Sequence, residues 1–102
     1  LMLEDIWLPH DRFKALLAIE PREFGDLLYP LYEQCCGVLV ASAQETLSAE
    51  AVSAKNARLL ELEPGEPVIV IERVALSADR QPLEWRQSRG PASEFRYQVE
   101  IR

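Results

Sequence analysis

The sequence contains little of several residue types on which common functional sites depend. Its single histidine, His10, excludes histidine-based triads and histidine metal clusters, and its four glycines are too scattered to form a phosphate-binding loop. Cys35 and Cys36 are adjacent, which is typical neither of a disulfide framework nor of spaced zinc ligands. No apolar run approaches the roughly 18 residues that span a bilayer. These absences predict a cytoplasmic domain with no metal, no cofactor and no membrane contact.

Length and charge narrow the class further. A chain of 102 residues has a modest core, which favours a single small domain and a dimer partner. The net charge of −6 argues against direct contact between this segment and DNA, because an acidic surface repels phosphate backbones. Acidic residues dominate residues 1–51, whereas acids and bases balance in residues 52–102, so an anion site is expected in the second half.

Hydrophobic periodicity predicts an α+β fold with a mostly antiparallel sheet flanked by helices. Strands are expected at residues 1–8, 38–47, 68–76, 82–88 and 95–101, and helices at residues 23–36 and 48–60. Gly37 ends the first of these helices, and Pro30 within it implies a late start or a kink. Ser48 is the expected cap of the second helix.

Three carboxylates lie on predicted strands, namely Glu4, Glu72 and Glu84. Neighbouring carboxylates perturb one another and support acid-base chemistry. The alternative is that they face water or pair with arginines such as Arg73 and Arg86 across the sheet. The residues alone leave both interpretations open.

An ordered series of short motifs resembles a known family. The series is a leucine and tyrosine at a helix start, a glycine after that helix, a strand, an alanine-rich helix, and a turn with an apolar strand and an arginine. The matching residues are Leu28, Tyr29, Gly37, Ala49, Ala57, Leu60, Gly65, Pro67, the run 68–71 and Arg73. Residues 3–9, 81–84 and 95–97 match the family's outer strands. Together they resemble the UTRA effector-binding domain of HutC-type GntR transcriptional regulators.

The resemblance implies a fold similar to that of chorismate lyase. Family members carry an N-terminal winged helix-turn-helix, followed by further UTRA strands, before the position that matches Leu1. Residues 1–102 are therefore expected to be the C-terminal portion of a single UTRA domain. Operator DNA would be bound only by the preceding winged helix-turn-helix domain.

The resemblance also implies positions for an effector pocket. Glu4 and Glu84 stand where the family has ligand-binding glutamates, and Tyr29 retains the tyrosine at the helix start. Leu27 replaces a serine that contacts phosphate in sugar-phosphate sensors, and Gly90 replaces a tyrosine. These replacements argue against an aminosugar phosphate as the effector.

Arginines complete the predicted site. Arg86 and Arg89 are suited to bidentate binding of a carboxylate, so the expected effector is an amino acid, an organic acid or a sugar-like metabolite. The predicted function is effector sensing and dimerisation in a bacterial repressor, without catalysis. The alternatives are a chorismate lyase-like enzyme and a structural dimerisation module without a ligand.

Overall fold

The computed structural model describes residues 1–20 and 27–101, which contain four strands and three α-helices. The strands are β1 (Leu3–Trp7), β2 (Ser42–Ala51), β3 (Pro67–Leu76) and β4 (Pro82–Pro91). The helices are α1 (His10–Phe13), α2 (Leu28–Cys36) and α3 (Ala54–Leu60), and short 3-10 segments cover Lys14–Ala18 and Ala92–Glu94. The strands form an antiparallel sheet in the order β1-β4-β3-β2. The predicted α+β class and antiparallel sheet are confirmed.

The prediction of a helix over residues 48–60 was wrong in its first half. Ser48 lies inside β2, which continues to Ala51, and the helix begins only at Ala54. Its cap is Ser53, whose hydroxyl accepts a hydrogen bond from the amide of Asn56 at 3.1 Å. Backbone pairing explains the difference, because the amide of Val52 donates to the carbonyl of Glu66 at 2.8 Å and holds this segment extended.

The ends of other elements also differ from the prediction. The predicted strand at residues 95–101 does not form, and no regular structure is assigned there. β4 extends to Pro91, three residues beyond the predicted end. α2 begins at Leu28, which confirms the late start, while the predicted helical residues 23–26 lie outside the described part of the chain. Gly37 ends α2 with a φ of 64°, as its position predicts.

Contacts divide the chain into two compact units. The first unit consists of the described residues of Leu1–Asp5, Thr46–Glu72 and Gln87–Arg102. Its core is formed by four residues that are at most 4% exposed, namely Val52, Ala57, Leu60 and Val68. α3 supplies two of them, and the small side chain of Ala57 lets the helix pack closely against the core.

The second unit consists of the described residues of Ile6–Glu45 and Arg73–Arg86. Its core contains Phe13, Leu16, Tyr32, Val38 and Leu83. The rings of Phe13 and Tyr32 pack edge to face with centroids 4.9 Å apart, a favoured aromatic geometry. This packing fixes α2 in the second unit and thereby positions the polar residues at its start.

The second unit also exposes an aromatic pair. Trp7 on β1 and Trp85 on β4 stack with ring centroids 4.3 Å apart, although their exposed fractions are 46% and 40%.

Among the described helices, none is long and apolar enough to cross a membrane.

Candidate functional site

A cleft of about 260 Å³ opens beside the first turn of α2 in the second unit. Its walls combine apolar side chains with three polar groups, and the lining residues are Leu27, Leu28, Tyr29, Pro30, Arg73 and Arg86. Two guanidinium groups and a phenol facing an apolar wall form a suitable site for a small anion with an apolar body.

Local structure explains how these side chains reach the cleft. Tyr29 and Pro30 lie in the first turn of α2, where a proline is tolerated because the early amides have no partner within the helix. Arg86 lies two residues after Glu84 on β4, so both side chains point to the same face of the strand. Arg73 comes from the neighbouring strand β3.

The buried carboxylate of Glu84 pairs with Arg86, one of the residues that line the cleft. Glu84 is 2% exposed, and its Oε2 accepts hydrogen bonds from the hydroxyl of Tyr32 at 2.6 Å and from Nη2 of Arg86 at 2.9 Å. A buried charge is tolerated only when it is paired in this way. Oε1 of Glu84 is buried and receives no hydrogen bond from the residues that the structure describes. Burial and the neighbouring carboxylate raise the pKa of Tyr32 well above its usual value, so Tyr32 remains a neutral donor.

The second arginine of the cleft has a different environment. Arg73 donates from Nε to Oε1 of Glu45 at 2.7 Å and from Nη1 to the hydroxyl of Tyr29 at 3.4 Å. These hydrogen bonds raise the pKa of Arg73 above its usual value. The guanidinium of Arg86 lies 5.8 Å from the centre of the Tyr29 ring, within cation–π range. Tyr29 therefore contacts both arginines of the cleft.

Four of the predicted site residues belong to the second unit. Leu27, Tyr29 and Arg86 line the cleft, and Glu84 binds Arg86 behind it. Arg73, which matches a family motif position, also lines the cleft, although it was not among the predicted site residues. The signal that would have included it is its place on a strand next to the one that carries Glu84 and Arg86.

The other three predicted residues belong to the first unit. Glu4 accepts a hydrogen bond from Ser88 at 3.2 Å, and Arg89 pairs with Glu50 at 2.6 Å. Gly90 lines a separate cleft of about 130 Å³, whose walls are largely apolar. A Cβ added at Gly90 would lie 3.8 Å from the nearest backbone oxygen, so this cleft does not sterically require a glycine.

Within the described residues, no group of three or more histidine, cysteine or carboxylate side chains is placed to hold a metal ion. Cys35 and Cys36 are free thiols that pack, half-buried, against the core of the second unit. Burial raises the pKa of Cys36, which lowers the fraction of the reactive thiolate form.

Comparison with solved structures places this fold among the effector domains of bacterial transcriptional regulators. The ligand-binding domain of a GntR-family regulator from Bordetella bronchiseptica is 30% identical with a TM-score of 0.81, and the alignment covers 99% of this chain and 64% of that one. The C-terminal domain of the histidine utilization repressor from Pseudomonas syringae is 22% identical with a TM-score of 0.82, covering 99% and 68%. The effector domain of PhnF from Mycobacterium smegmatis is 23% identical with a TM-score of 0.80, covering 99% and 60%.

The sequence itself identifies the family. The UTRA domain profile matches residues 1–96. The chain therefore belongs to the UTRA domain family, whose members in GntR-type regulators are generally ligand-binding. It spans about two thirds of the length of the effector domains it resembles. A comparison with curated protein sequences found no match.

Proposed function

We propose that this UTRA domain is the effector-sensing part of a GntR-type transcriptional regulator and that the cleft beside α2 binds a small organic anion. The observation that carries the proposal is the convergence of Arg73, Arg86 and the Tyr29 hydroxyl on one cleft with an apolar wall. Arginine binds planar carboxylates with two parallel hydrogen bonds, which makes an organic acid the effector class that these donors fit best.

The apolar side of the cleft supports an effector with a hydrophobic body. Leu27 is 74% exposed at the cleft, and Leu28 and Pro30 line the same wall. A small carboxylic acid would cover these side chains while its carboxylate meets the arginines. Glu84 pairs with Arg86, so we assign Glu84 a positioning role. We give the direct contacts to Leu27, Tyr29 and Arg86, and to Arg73, which lines the same cleft.

Glu4, Arg89 and Gly90 remain candidate effector contacts from the first unit. We propose that the domain acts as a homodimer in the cytoplasm and has no catalytic role, which is supported by its resemblance to regulator domains rather than enzymes. Effector binding would favour one arrangement of the dimer and thereby alter operator binding by an attached winged helix-turn-helix.

Thermal denaturation with a panel of small carboxylic acids tests the effector class. Each acid is compared with its own amide, which has the same body without the charge. An acid at a hundred times its dissociation constant should add about 2.7 kcal/mol of stability, while its amide adds much less. Equal stabilisation by acids and amides, or none by any acid, would contradict the proposal.

A matched pair of variants tests the location. Tyr29→Phe removes the hydroxyl that lines the cleft and should weaken the stabilisation by the best acid. Tyr97→Phe makes the same chemical change at a side chain that is 76% exposed in the first unit, and it should leave the stabilisation intact. If both variants respond to the acid like the wild type, the hydroxyl of Tyr29 takes no part in binding.

A further inference from the structure

The two arginines of the cleft are paired with glutamates of very different accessibility. Arg86 and Glu84 have side chains that are 18% and 0% exposed, whereas those of Arg73 and Glu45 are 34% and 40% exposed. Separating Arg86 from Glu84 would leave a buried carboxylate without its partner, which is strongly destabilising. Pairs as exposed as the second one contribute little to stability and exchange readily with other partners. Arg73 is therefore the arginine that can change its partner.

Glu45 holds the part of Arg73 that a carboxylate ligand would use. One oxygen, Oε1 of Glu45, accepts hydrogen bonds from both Nε and Nη2 of Arg73. These two nitrogens form one edge of the guanidinium, the geometry that binds a planar carboxylate with two parallel bonds. Nη1 points to Tyr29 in the cleft. A ligand carboxylate that takes this edge must displace the carboxylate of Glu45.

Glu45 also connects the cleft to the edge of the sheet. It lies on β2, an outer strand of the sheet whose ten residues are all exposed. The bond to Arg73 thus joins a side chain that lines the cleft to an outer strand of the sheet formed by the described residues. Breaking this bond removes a side-chain contact of Glu45, which lies in the part of β2 that belongs to the second unit.

We propose that Glu45 is an internal substitute for the effector carboxylate and that effector binding displaces it from Arg73, releasing the contact between the cleft and β2. The proposal rests on the proposed function, since it requires an anion in this cleft. It adds a competitor within the chain, which sets the affinity for the anion, and it names the strand that responds to binding.

Glu45→Gln provides the direct test, with Glu50→Gln as its matched control. Glu50 lies on the same strand and is 43% exposed, but it pairs at 2.6 Å with Arg89, which does not line the cleft, whereas Glu45 pairs with Arg73, which does. The probes are benzoate and its neutral analogue benzamide, titrated into the protein and followed by NMR. Because an exposed ion pair contributes only a small free energy, Glu45→Gln should bind benzoate about threefold more tightly than the wild type. Glu50→Gln should match the wild type, and benzamide should not distinguish the three proteins.

A second measurement follows the displaced bond itself. Saturation of the wild type with benzoate should shift the Arg73 Nε–H resonance and the backbone amide of Glu45 on β2. In Glu45→Gln, the amide of residue 45 should respond much less, because the carboxylate that would be displaced is absent.

The outcomes separate this proposal from the proposed function. If benzoate binds the wild type and Glu45→Gln equally, or if Glu50→Gln tightens binding as much as Glu45→Gln, displacement of Glu45 is refuted while the anion cleft stands. If benzoate does not bind the wild type, the displacement proposal is also overturned. The panel of carboxylic acids then tests the proposed function independently.

Discussion

The hydrogen bond between Tyr32 and Glu84 offers the strongest test of how this site is held together. Tyr32→Phe removes only the hydroxyl and keeps the ring that packs against Phe13. Both partners are almost fully buried, at 1% and 2% exposure, and their oxygens are 2.6 Å apart. Hydrogen bonds to charged groups contribute about 1.5 to 3 kcal/mol. We therefore expect Tyr32→Phe to lower the free energy of unfolding by about 2 kcal/mol.

Urea denaturation followed by far-UV circular dichroism measures this loss. In thermal denaturation of a domain of this size, the same loss of about 2 kcal/mol lowers the melting temperature by roughly 8 to 16 °C. Tyr97→Phe, at a side chain that is 76% exposed, is the control and should change stability by less than about 0.5 kcal/mol. A double-mutant cycle of Tyr32→Phe with Glu84→Gln should show coupling, because the two groups bond directly.

A loss of less than about 0.5 kcal/mol in Tyr32→Phe would contradict this expectation. Such a result would mean that Arg86 alone compensates the buried carboxylate and that the Tyr32 hydroxyl contributes nothing further. Additive effects in the cycle would lead to the same conclusion. Tyr32 would then be a packing residue, and the sequence interpretation of α2 as a simple apolar face would suffice.

Three further predictions follow from single features. Burial and Glu84 raise the pKa of Tyr32, so the contribution of this tyrosine to the free energy of unfolding is complete below about pH 10 and declines at higher pH. Between pH 10 and 11, the wild type should therefore lose stability more steeply than Tyr32→Phe. Equal slopes of stability against pH, measured by urea denaturation, would contradict this. Ser53→Ala should cost about 1 kcal/mol through loss of the helix cap, whereas Ser48→Ala should cost less than about 0.5 kcal/mol in the same assay, and the reverse order would refute the cap assignment. Arg80 has a φ of 62°, so Arg80→Gly should raise the melting temperature slightly, and a decrease would show that its side chain compensates the strained backbone.

The strands with buried residues were predictable because their patterns carry a burial signal. β3 combines a β-branched run with buried positions such as Val68 and Val70, and its predicted start differs by one residue. The first six residues of β2 lie within the strand predicted at residues 38–47, whereas its last four, residues 48–51, were predicted as helix. All ten residues of β2 are exposed, so no burial signal marks where the strand ends. The spacing of Ala49, Val52 and Ala57 fits a helix equally well. Pairing of this segment with a distant part of the chain, as in the hydrogen bond from Val52 to Glu66, makes residues 48–51 a strand.

The last predicted strand shows the opposite error. Alternation of apolar residues over residues 95–101 indicates a face that needs burial, yet Tyr97 and Ile101 are 76% and 87% exposed. A period of two predicts a strand only if a partner strand is available, and a segment's own sequence does not encode its partner.

For the candidate site, the sequence pointed to some of the residues that line the cleft but not to the contacts between them. Tyr29, Glu84 and Arg86 were identified from family motifs and from side chains suited to a carboxylate. The bond from Tyr32 to Glu84 joins residues 52 positions apart, and that from Arg73 to Glu45 joins residues 28 positions apart. Such pairs depend on which strands and helices become neighbours, which periodicity within each element does not determine.

The stacking of Trp7 on Trp85 gives the second unit an optical signal of its own. These are the two tryptophans of the chain, and both belong to that unit. Intrinsic tryptophan emission therefore reports the local state of one half of the molecule, while circular dichroism averages over both. Unfolding midpoints that agree between the two signals indicate a single cooperative transition, and midpoints that differ reveal two separately melting halves.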